Sequence, residues 1–128
     1  MNARLAATAI VTLSLTFSLS GSRPVSAAEQ SWNGAISDSM CGASHAAMST
    51  GGAKVSDRDC TLACVSYQTA DAPKFVFVSD GKVYPIANQR FGGLARYAGQ
   101  PIALTGELAN GAITVSKIEK RWRPAGTR

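Results

Sequence analysis

Apolar residues follow two kinds of pattern along the chain. Over residues 5–19 they run almost unbroken, interrupted only by Thr and Ser. From Ser31 onward they alternate with polar residues or recur at helical spacing. The first run follows Arg4 and precedes the small residues Ser26, Ala27 and Ala28, the layout of a secretory signal peptide over residues 1–28. Its length of about 15 residues falls short of the roughly 20 that a spanning helix needs. Cleavage after Ala28, with no transmembrane anchor left, is therefore the expectation. No Cys lies near the cleavage region, which argues against a lipid anchor.

The second pattern predicts a mainly β domain over residues 29–119. Residues 31–37 read as a strand with Trp32, Gly34 and Ile36 on one face and Asn33 and Ala35 on the other. Residues 41–53 are small and without period, an ordered loop or a short helix. Ser56 or Asp57 can cap a helix that runs to Tyr67, with Cys60, Ala63, Cys64 and Tyr67 as its stripe. Pro73 and the polar residues before it end that helix. Residues 74–86 predict a hairpin around Asp80-Gly81, because Gly takes the positive φ that a tight turn requires. Pro85 cannot donate to a ladder, so that strand belongs at an edge.

Phe91, Leu94, Ala95 and Tyr97 predict a short helix or turn closed by Gly99. A second hairpin, residues 100–107 and 112–119, turns at Asn110-Gly111. Its buried faces are Ile102, Leu104, Ile113, Val115 and Ile118, and Gly106 suits a bend or a close backbone approach. Five strands with a helix between the third and fourth match a small five-stranded OB-like barrel. A Cys-bearing loop and helix and one further short helix complete it. An unrelated five-stranded roll is the competing architecture.

Composition sharpens this outline. The chain has 128 residues, a formal net charge of +5 and 16% charged residues. That length holds one domain and excludes an eight-unit strand-helix barrel. Residues 1–28 contain Arg4 and Arg23 and no acid, so 11 basic and 8 acidic residues remain beyond them, a charge of +3. Five of those basic residues, Lys117, Lys120, Arg121, Arg123 and Arg128, lie in the last twelve positions. Residues 120–128 thus form a basic tail, suited to weak attraction to acidic surfaces. Trp122 between two Arg is a stacking candidate for nucleic acid, but an exported protein seldom meets that partner. The expected location is periplasmic or extracellular.

The candidate chemistry is concentrated. All three Cys and the single His lie within residues 41–64, as Cys41-x-x-x-His45 and Cys60-x-x-x-Cys64. An i,i+4 pair on a helix presents both side chains to one side. Two such pairs supply Cys41, His45, Cys60 and Cys64 as a Cys₃His donor set for zinc. Thiolates also suit copper in its Cu(I) state, with Met40 and Met48 as nearby thioethers. Asp38 is placed to orient His45 from an outer shell.

A disulfide without metal is the alternative, since exported proteins use Cys mainly that way. Cys41 paired with Cys60 or Cys64 closes a loop of about 20 residues, worth roughly 3 kcal/mol in the chain-entropy model. Cys60 to Cys64 is the less natural bridge. A thiol enzyme is a third reading, with His45 as base for Cys41 or Cys64. The chain has no Cys-x-x-Cys motif, no phosphate loop and no close carboxylate pair to support it. Asp57 and Asp59 read as helix-capping acids.

The string Trp32-Asn33-Gly34-Ala35-Ile36-Ser37-Asp38-Ser39-Met40-Cys41-Gly42-Ala43-Ser44-His45 resembles the opening of a family of small exported bacterial proteins that carry a domain of unknown function. Cys60-Thr61-Leu62-Ala63-Cys64 resembles its Cys-x-x-x-Cys segment. The closing segment over residues 98–106 with Ile113-Thr114-Val115 is similar as well. The resemblance covers residues 31–119. It implies an exported, single-domain, OB-like protein without an established activity. It also implies Asp38, Cys41, His45, Cys60 and Cys64 as the residues of interest. Residues 66–73 lack the Gly that follows the helix in similar proteins.

Overall fold

The structure, a computed structural model, describes residues 27–45, 49, 50 and 53–121. Most of the expected leader, together with Met48, Trp122, Arg123 and Arg128, lies outside the described residues. Seven strands and two helices follow in order: β1 (Glu29–Asp38), β2 (Ser49–Thr50), β3 (Ala53–Lys54), α1 (Asp57–Val65), β4 (Phe75–Ser79), β5 (Lys82–Pro85), α2 (Leu94–Tyr97), β6 (Pro101–Ala109) and β7 (Ala112–Lys120).

Five of the strands form one antiparallel sheet in the order β5-β4-β1-β6-β7. β1 is its centre and uses its length twice. Residues 29–35 pair with β6, and residues 35–38 pair with β4. Both expected hairpins are present. Asp80 and Gly81 have φ of 50° and 75°, Asn110 and Gly111 of 52° and 78°, so both central residues of each turn are left-handed. Such turns carry the twist that joins two adjacent strands. The ladder between β6 and β7 shifts register at Thr105/Gly106. A Cβ on Gly106 would stand 2.3 Å from the Thr114 carbonyl oxygen, which accounts for the glycine there.

Period-two burial builds the core. Ile36 from β1, Phe77 from β4, Ile102 and Leu104 from β6, and Ile113 from β7 are all buried to 1% exposure or less. Leu94 of α2 closes the cluster, and Trp32, Tyr84 and Ile118 pack against it half-buried. Each large apolar side chain so buried contributes about 1.5–3 kcal/mol.

The structure bears on three expectations. First, the sheet is not closed. β5 and β7 are its edges, joined by an isolated parallel bridge between Ile86 and Ile113. Pro85 ends β5 without a donor. The Asn88 side chain then occupies both backbone groups of Val115, donating to its carbonyl and accepting from its amide at 2.8 Å each. A side-chain amide thus stands where a ladder would continue.

Second, α1 ends at Val65 rather than Tyr67. The Ser66 hydroxyl and amide both donate to the Ala63 carbonyl, at 2.7 and 3.3 Å, and stop the helix. Its buried stripe is Cys60, Thr61 and Cys64, while Ala63 is exposed and Tyr67 is 63% exposed beyond the end. Its start is as expected: the Ser56 hydroxyl accepts from the Asp59 amide at 3.1 Å. Third, of the two expectations for residues 41–53, an ordered loop or a short helix, the described residues show no helix and hold a turn and the strands β2 and β3.

Candidate metal centre

The site grows from the end of β1. Ser37 and Asp38 continue the strand and are buried although they follow the core-facing Ile36. Helix α1 packs on β1 and covers them. Asp38 then folds the chain back. Its Oδ1 accepts the Met40 and Cys41 amides at 3.0 and 2.9 Å, and its carbonyl accepts the Gly42 amide at 2.8 Å. Carboxylates favour such local turns because they satisfy two backbone donors at once. The Ser37 hydroxyl donates to the Gly42 carbonyl at 2.7 Å and locks the reversal.

This turn brings Cys41 and His45 over α1. The Cys41 Sγ lies 3.7 Å from the Cys60 Sγ. The His45 Nε2 lies 3.1 Å from the Asp38 Oδ2 and 3.3 Å from both the Ser37 and the Thr61 hydroxyl oxygens. Its Nδ1 faces the exposed Asp57 Oδ1 at 3.6 Å, an ion-pair distance beyond hydrogen-bond range. One donor atom each from Asp38, Cys41, His45 and Cys60 lies within 4.8 Å of all the others. Asp38 is 0% exposed, Cys60 2%, His45 8%, and Cys41 is half-buried.

The separations suit a small cation. With zinc-sulfur bonds of about 2.3 Å, a tetrahedral edge between two sulfurs is about 3.8 Å. With bonds near 2.1 Å, a nitrogen-oxygen edge is about 3.4 Å. The observed 3.7 and 3.1 Å are close to both. This group can bind a metal ion.

Electrostatics point the same way. Burial, followed by the Cys41 side chain and the charges of Cys64 and Asp38, pushes the Cys60 thiol up to about 12. Burial, followed by the charge of Asp38, raises Cys64 as well. Burial is the larger cause, and a bound cation would offset the neighbouring charges that add to it. Without one, Cys60 stays a protonated thiol at neutral pH and is a poor nucleophile.

Of the four residues proposed from spacing, Cys41, His45 and Cys60 come together directly. Cys64 is buried on the same helix face and interacts with Cys60 and Asp38, but it stands beside the group of four rather than in it. Asp38 takes a place among the donors and does more than orient His45. Ser37 and Thr61 were not expected at the site, and Asp57 was expected only as a helix-capping acid. Asp57 carried a usable signal, since it sits three residues before Cys60 on the same helix. Thr61 carried none. A cleft of about 430 Å³ opens beside the group, with Ser37, Gly42, His45, Asp57, Asp80 and Arg121 in its lining.

Among the described residues no helix is long and apolar enough to cross a membrane. Comparison with models of known protein families, with characterised proteins and with solved structures found no match to this chain.

Proposed function

We propose that this chain is an exported small binding module that holds a transition metal, zinc or copper, through Asp38, Cys41, His45 and Cys60. The mutual approach of these four donors, three of them buried, carries the reading. Two sulfurs, an imidazole and a carboxylate fit zinc, which accepts all three donor types in tetrahedral sites. Cu(I) prefers sulfur, so this mixed donor set favours zinc, with copper the alternative. The leader-like residues 1–28, and the resemblance of residues 32–45 to small exported bacterial proteins, support export. The open five-stranded sheet, bridged at Ile86 and Ile113, supports a partly open OB-like barrel as the scaffold.

The same 3.7 Å sulfur approach supports a second reading, a metal-free module stapled by a Cys41–Cys60 disulfide. One sample separates the two. Metal analysis and free-thiol counting are run together on protein purified without chelator or reductant. About one equivalent of metal with three free thiols supports the metal centre. Under about one-tenth equivalent of metal with a single free thiol overturns it in favour of the staple.

A further inference from the structure

Two of the four donors are cysteine sulfurs, and a third sulfur, Cys64, lies one helical turn from Cys60. Their placement selects a single pair for bond formation. Cys41 reaches in from the turn after β1, and Cys60 faces it from the middle of α1, with 3.7 Å between sulfurs. A disulfide needs about 2.0 Å and Cβ atoms roughly 3.5–4.5 Å apart. Cys60 and Cys64 are i,i+4 on one helix, where Cβ atoms stand about 5–6 Å apart. Cys41 is half-buried, whereas Cys60 and Cys64 are 2% and 4% exposed. A solute therefore meets Cys41 first.

We propose, resting on the metal reading above, that Cys41 and Cys60 form a redox-modification site at which hydrogen peroxide makes a disulfide and expels the metal. The Cys41 thiolate attacks one peroxide oxygen. An S–O bond forms, the O–O bond breaks, and the departing hydroxide takes a proton to become water. The Cys60 thiolate then attacks the Cys41 sulfur. The S–S bond forms, the S–O bond breaks, and a second hydroxide leaves as water after taking a proton. Two electrons pass from the sulfurs to the peroxide, and zinc leaves as the divalent ion it was. The disulfide sulfurs no longer offer thiolate charge, and Asp38 with His45 alone make a weak site. Cys64 remains a free thiol.

The test uses the full chain, reduced, loaded with zinc and freed of excess. Hydrogen peroxide is added beside a chromogenic zinc chelator, and disulfides are mapped by peptide mass. The expected result is one zinc released per disulfide, the disulfide joining Cys41 to Cys60, and Cys64 still alkylated. Cys64→Ser should release zinc to the same extent, and reductant with fresh zinc should restore binding. Zinc retained while peroxide oxidises other groups overturns the inference, as does a disulfide that includes Cys64. A reduced chain that never takes up zinc overturns the metal reading as well, so the two failures are distinguishable.

Discussion

Asp38 is where the fold and the site depend on one side chain, and Asp38→Asn tests that dependence. The carboxylate accepts the Met40 and Cys41 amides at 3.0 and 2.9 Å and faces the His45 Nε2 at 3.1 Å. At 0% exposure, water cannot replace these partners. The amide keeps the shape and one acceptor oxygen but lowers each bond from the charged to the neutral class, about 1 kcal/mol apiece. Three contacts give a loss of about 3 kcal/mol. In a domain of about 90 residues that lowers Tm by roughly 10–20 °C.

The assay is urea unfolding followed by circular dichroism, in reductant and chelator, so that metal binding adds nothing. Asp38→Ala should cost more, because it strands two amide donors. Asp57→Asn is the control. Its carboxylate is 57% exposed and 3.6 Å from the ring, so the change should stay within about 0.5 kcal/mol. An Asp38→Asn protein within about 0.5 kcal/mol of the parent would refute the idea that this carboxylate holds the turn and the ring.

Alkaline pH should unfold the reduced, metal-free protein through Cys60. Its native thiol is raised from 9.0 to about 12, so the native state holds the proton more tightly than the unfolded chain. That contribution is complete below about pH 9 and is lost as pH climbs toward 12, at up to about 1.4 kcal/mol per unit. Unfolding midpoints that fall no faster in the parent than in Cys60→Ala would contradict it. Asn88→Ala removes both bonds to Val115 and should cost about 1–3 kcal/mol, with faster amide exchange at Val115. An unchanged exchange rate there would show that the sheet edges hold without the amide bridge. Gly99→Ala places a Cβ 2.5 Å from the Arg58 amide nitrogen at a φ of +68°. Denaturant titration should show a loss of more than about 2 kcal/mol, and a change below about 0.5 kcal/mol would mean that α1 and Gly99 separate freely.

Much of the scaffold is legible along the chain because its signals are local. Asp80-Gly81 and Asn110-Gly111 specify their turns through the φ that their residues tolerate, whatever surrounds them. Ser56 caps α1 with an atom three residues from its target. The alternation of Trp32, Gly34 and Ile36, and of Ile102 and Leu104, marks the core face of each strand because side chains repeat every second residue. The clustering of Cys41, His45, Cys60 and Cys64 is likewise visible in sequence alone.

Tertiary structure decided which of these residues meet. Ser37 and Asp38 lie on consecutive positions of β1, so alternation assigns one of them to solvent. Both are buried because α1 and the turn cover the second face of that strand end. No local period encodes that cover. It also selects Asp38 over Cys64 as the fourth member of the group, since helical spacing places Cys64 beside Cys60 but cannot say what lies opposite. The open edge between β5 and β7 has the same origin. Pro85 announces an edge, while the Asn88 side chain that spans it bonds to a residue 27 positions away. Residue type and local spacing thus determined the elements and the donor inventory. The packing of α1 on β1 determined the centre, because distances between elements are set by what each buries and not by what each contains.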